Sequence, residues 1–194
     1  YLQLVLGLSP LNAGLWSVPG AIASIVGSNI APILVRRVRP AYLVATGLAM
    51  AAIGSGLLTQ VGDSSLALVV IGNTLMSFGF GMTFTLTADM VVTAAPPERA
   101  GAASAISETG AEFGGALGIA VLGSIGMAVY RSQVAQNLPS GIPAEALAQA
   151  QETLGGAVEV AQGLSAEMSQ ALLSAANLAF VQGIHVIALV GAVG

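Results

Sequence analysis

Glu108 and Glu112 stand four residues apart in Gly101–Tyr130, a stretch that otherwise has the composition of a membrane-spanning helix. Residues at i and i+4 lie on one helical face. A carboxylate facing lipid is costly, so acids in spans face a bundle interior or a watery cavity and mark candidate functional sites. The same stretch holds no Lys or Arg to neutralise them. A proton or a cationic ligand is then the obvious partner, and the pair is expected to titrate as a unit, holding a proton that an arriving cation displaces. Asp89, near the end of the preceding apolar run, is a third candidate for a gate or proton path.

These acids need a helix that sets their depth. Counted from Glu98 at 1.5 Å per residue, Glu108 lies roughly 15 Å deep and Glu112 about 21 Å. A hydrocarbon core of ~30 Å places Glu108 near its midplane. Ser104, Glu108, Glu112 and Gly115 share one face, while Gly110, Gly114 and Gly118 form a small-residue stripe suited to close helix packing. Phe80, Met82 and Phe84 in the previous span are candidate cavity lining together with Ser104. His185 reads as a packed, hydrogen-bonded histidine. Trp16 near a span end suits an interfacial anchor.

Composition frames this as a membrane protein. The chain is 55% hydrophobic and 7% charged, with a mean hydropathy of +0.87, whereas soluble domains carry roughly 25% charged residues. Five arginines are its only Lys or Arg residues, which leaves no basic patch for nucleic acid. One histidine and no cysteine argue against a metal centre or thiol chemistry. No serine–histidine pair, metal-ligand cluster or nucleotide motif suggests an enzyme, and no cofactor is implied.

The expected fold class is all-α, a polytopic transmembrane bundle of about five spans. After a span tail at residues 1–10, apolar runs predict helices at Leu11–Val35, Tyr42–Gln60, Leu66–Ala88 (extending to about Ala94), Gly101–Tyr130 and Ala171–Gly194. Residues 1–130 hold four of these spans and the preceding span tail, 131–170 an external loop and 171–194 the last span. Pro96-Pro97-Glu98 resembles a helix start. Two helices, Ile142–Leu154 after Ser140-Gly141 and Ala157–Leu173 after Gly155-Gly156, are expected to pair as a hairpin. Arg36, Arg37, Arg39 and Arg99 fall in alternate loops, so the positive-inside rule makes those loops cytoplasmic. The Val61–Ser65 turn and the 131–170 loop are then outside, with the C-terminus inside. A start at Tyr1 and an end within an apolar run suggest part of a longer chain.

The run PPERAGAASAISETGAEFGGALGIAVLGSIG, Pro96–Gly126, closely resembles the penultimate span of fourteen-span drug:proton antiporters of the major facilitator superfamily. Asn12–Pro40 is similar to their tenth span and the loop that follows. The resemblance covers nearly the whole chain, as spans ten to fourteen, and the long segment after Tyr130 matches the family's large external loop. It implies export of lipophilic, often cationic compounds from a cell membrane, driven by proton influx through alternating access and completed by further spans. Glu108 and Glu112 match the acidic positions implicated there in cation recognition and coupling. Some relatives carry an acid at the position of Ser107, and some have one in the tenth span, whereas Leu11–Val35 has none. Two other functions compete: export of a lipid, siderophore or natural product with Glu108 serving protons alone, and a non-transporting membrane module whose outer hairpin binds a partner.

Overall fold

The computed structural model describes residues 1–62, 65–137 and 142–193; of Ala144 and Glu145 only the backbone is described. Among these residues seven α-helices follow in order: α1 Pro10–Leu34, α2 Pro40–Leu58, α3 Leu66–Thr93, α4 Ala100–Asn137, α5 Ala144–Glu152, α6 Leu154–Ala161 and α7 Ala166–Val193, with a 3-10 turn at Pro97–Arg99 leading into α4. The five long helices have the length and apolar composition to cross a membrane. Their starts follow local chemistry. The Ser9 hydroxyl accepts the Asn12 N–H and Pro10 opens the first turn of α1. Pro40 does the same for α2 after the arginine loop. In each case the proline sits where its missing N–H costs nothing.

Glycine decides how α1, α2 and α3 pack. Added Cβ atoms at Gly79 and Gly72 on α3 would run into the carbonyls of Gly47 and Gly54 on α2. The pairing is antiparallel, one glycine pair per two turns. On its other side α3 meets α1, where Gly27 lies against the backbone of Phe78 and Met82, and Gly81 against that of Ser24. The Gly79–Gly81 segment is thus a close-packed crossing. Small residues of this kind let backbones approach and gain dispersion contacts that lipid cannot supply.

A second unit comprises α4 to α7, joined to the first through α2 with α7 and α3 with α4. Helix α4 has 38 residues, about 57 Å at helical rise, far more than a ~30 Å core requires. Gly126 on α4 and Gly183 on α7 cross closely. Beyond that crossing, the end of α4, the short helices α5 and α6, and the first half of α7 enclose a core of Tyr130, Val134, Ala150, Leu154, Ala157, Leu172, Ala176 and Ala179. The Tyr130 hydroxyl donates to the Ala150 carbonyl at 2.9 Å and ties α5 to α4. We call this unit the cap.

The cap differs in detail from the sequence expectation. The break between its two short helices falls at Thr153, which is extended, not at Gly155-Gly156. Thr153 caps α6 by accepting the Gly156 N–H at 3.0 Å, and Gly156 then lies against the Gln149 carbonyl, where a side chain would clash. Capping chemistry thus competes with the glycine pair and wins. The expected helix Ala157–Leu173 is divided between α6, ending at Ala161, and α7, starting at Ala166. The Ser140-Gly141 start and Asp63 of the outer turn lie outside the described residues. Leu172, Ala176 and Ala179 of α7 serve the cap core, and α7 meets α2 where Gly191 lies beside the Ser55 hydroxyl.

Candidate functional site

Helix α4 carries the two candidate carboxylates. Its half-buried residues Ala103, Ser107, Ala111, Gly118 and Leu122 recur at helical spacing and mark the side turned toward its neighbours. Glu108 and Glu112 each follow a member of that stripe by one residue, so both project about 100° around the helix from it. Both are exposed, as are Ser104 and Gly115 on the same face. Neither carboxylate has a hydrogen bond or ion pair among the described residues. The arginines stand elsewhere: Arg36, Arg37 and Arg39 between α1 and α2, Arg99 at the foot of α4, and Arg131 at the cap. These helices alone therefore leave two carboxyl groups, one turn apart, with no fixed positive neighbour among the described residues.

Beside the carboxylates α4 carries an apolar groove of about 450 Å³ lined by Ala105, Ile106, Thr109, Gly110 and Phe113. Ile106 and Phe113 are strongly exposed. Nothing lies within van der Waals reach of a Cβ built at Gly110, Gly114 or Gly118, and Gly110 and Gly114 are exposed, so this stripe makes no close contact among the described residues. The groove was missed by reading the acids alone. Its signal was present in the spacing of Ile106, Gly110 and Phe113, with large residues flanking a small one on the face next to the acids.

The remaining candidates separate. Phe80 and Phe84 are exposed on one face of α3. Met82 is on the opposite face, 2% exposed, in a small core with Ala31, Leu43 and Leu86. It packs α3 against α1 and α2, and is not on the surface that the two phenylalanines share; helical periodicity puts residue i+2 roughly opposite i and i+4. Asp89 is exposed one turn before the end of α3, where its backbone carbonyl accepts the Thr93 hydroxyl. Among the described residues no hydrogen bond or ion pair joins Asp89 to Glu108 or Glu112. His185 is half-buried and its Nε2 lies 2.6 Å from the Val61 carbonyl.

The fold and this face of α4 describe a polytopic helical membrane protein with an acid pair exposed on its fourth long helix. Comparison with known proteins gives the class: the model of the major facilitator superfamily matches residues 1–119, and the chain belongs to that superfamily. It is similar to the multidrug efflux pump LfrA of Mycolicibacterium smegmatis, 38% identical over 99% of this chain and 38% of that protein. The methyl viologen resistance protein SmvA of Salmonella typhimurium is 33% identical over 97% of the chain and 38% of its own length. A tetracenomycin C resistance and export protein of Streptomyces glaucescens is 30% identical over 94% of the chain and 35% of its own length. The chain thus spans well under half the length of these relatives.

Proposed function

We propose that this chain is part of a proton-coupled exporter of lipophilic or cationic compounds, working by alternating access in a cell membrane. The supporting observation is the α4 surface: two carboxylates without a fixed cation, bordered by an apolar groove. A lipophilic cation needs both, a charge partner and an apolar bed, and a solvated proton needs the first alone. Glu108 sits near mid-membrane and takes proton or cation in exchange. Glu112, one turn outward, shares the charge. Phe80 and Phe84 on α3, with Ser104 on α4, face the cavity that the complete set of spans would enclose, and Asp89 lies on the cytoplasmic approach. Substrate sites in such transporters form between two halves near the midplane, so transport belongs to the full-length protein. In this orientation the arginine loops are cytoplasmic, and the cap and the Val61 turn are outside.

The test is substrate-driven proton release by the full-length protein in proteoliposomes, with Glu108→Gln and Glu112→Gln. We expect release to be lost in Glu108→Gln and reduced in Glu112→Gln. Unchanged release in both variants would refute the exchange mechanism. A second reading, in which Glu108 serves protons only and the exported compound is uncharged, is favoured by Ser107 and by the chargeless α1. It predicts that organic cations fail to compete for export.

A further inference from the structure

We propose that His185 is a latch that locks the cap-bearing helix α7 to the turn between α2 and α3, making the two packing units one body at this end of the molecule. The units α1–α3 and α4–α7 touch through few elements, α2 with α7 and α3 with α4. On the α2–α7 seam Gly191 lies beside the Ser55 hydroxyl, a small-residue contact that permits close approach of the two helices. At its outer end the character changes. His185 Nε2 meets the Val61 carbonyl at 2.6 Å.

That carbonyl lies just past the end of α2, where backbone acceptors have no helical partner. Val61 is 1% exposed, so water has little access to replace a lost donor there, and a buried unsatisfied group is costly. The same turn is gripped on its next residue: the Gly62 carbonyl accepts the Tyr1 hydroxyl, and the Gly62 N–H donates to Ser65 Oγ at 2.9 Å. Two successive carbonyls are thus held from two separate elements, the segment before α1 and helix α7. A carbonyl can accept only from an Nε2 that carries hydrogen. The neutral Nε2–H tautomer and the imidazolium both satisfy this, so the latch holds whichever charge the ring carries. Phenylalanine would fill the space and donate nothing, whereas glutamine would restore an amide donor.

The consequence is mechanical. Leu172, Ala176 and Ala179 anchor α7 in the cap core, and His185 lies further along the same continuous helix, about two turns beyond that anchor. A displacement of the cap is therefore carried to the α2–α3 turn, and a displacement of that turn to the cap. This coupling is independent of what the protein carries.

The experiment places spin labels at Gln60 and Gln170, both exposed, in the full-length protein reconstituted in lipid nanodiscs, and reads the distance distribution by pulsed electron resonance. Wild type and His185→Gln should give one narrow distribution, and His185→Phe one at least about twice as broad. A His185→Phe distribution that superimposes on wild type, or a His185→Gln distribution as broad as that of His185→Phe, would overturn the latch. Because His185→Phe can fail to fold, a second measurement follows the ring N–H of 15N-histidine-labelled wild type, assigned by its loss in His185→Gln. A ring proton that persists for minutes in deuterated buffer supports the bond to Val61, and one that is lost at once overturns it.

Discussion

Gly79→Ala on α3 and Gly56→Ala on α2 test the packing in a paired form. Gly79 lies inside α3 and Gly56 in the last turn of α2, so both variants gain helix propensity, at most about 1 kcal/mol for Gly→Ala. That gain largely cancels in the difference between them. What remains is what each new methyl meets. At Gly56 nothing lies within 4 Å of an added Cβ. At Gly79 it would meet the Gly47 carbonyl, with the Ala51 nitrogen and the Gly47 carbonyl carbon close behind. These are backbone atoms of a neighbouring helix, which cannot rotate aside as a side chain would. The helices must separate, and overpacking of this kind costs about 1–3 kcal/mol. The two variants should differ by that amount, on the order of 5- to 150-fold in the unfolding equilibrium, with Gly79→Ala the less stable. Reversible unfolding of the full-length protein in mixed micelles, followed by circular dichroism, measures it. Equal stability of Gly79→Ala and Gly56→Ala would show that α2 and α3 do not cross at Gly47 and Gly79.

Tyr130→Phe keeps the ring in the cap core and removes its hydrogen bond to Ala150. It should cost about 1–3 kcal/mol of cap stability, seen as faster amide exchange in α5 with little change in α1 to α3. Thr153→Ala removes the cap of α6 and should cost roughly 1 kcal/mol, with exchange rising first at Gly156. Met82→Ala should destabilise the α1–α3 core by about 2–5 kcal/mol, measured by micelle unfolding; Phe84→Ala, on the exposed face of the same helix, should cost far less in that assay.

Periodicity and composition made much of this protein legible in advance. Long charge-poor runs bounded by Arg36–Pro40 and Ala95–Arg99 located four helices to within a few residues, apart from the extension of α4 to Asn137, because lipid requires each crossing segment to satisfy its own backbone hydrogen bonds. The acid pair was legible for a related reason: charge is rare in such runs, so its position stands out. Which side of α3 each candidate lining residue takes was not legible. Phe80, Met82 and Phe84 are neighbours in sequence, and only the crossing of α3 with α1 and α2 showed that Met82 belongs to the packed side.

The sequence by itself determined the helices, their approximate order through a bilayer and the face of α4 that carries Glu108 and Glu112, since each depends on local spacing and local desolvation. Tertiary structure alone decided where Thr153 breaks the cap, that the first half of α7 serves the cap core, and that His185 meets Val61 across 124 positions of chain. Those contacts arise from which backbones can approach one another, and glycine positions in one helix mean nothing until the partner helix supplies the carbonyl that fills the space.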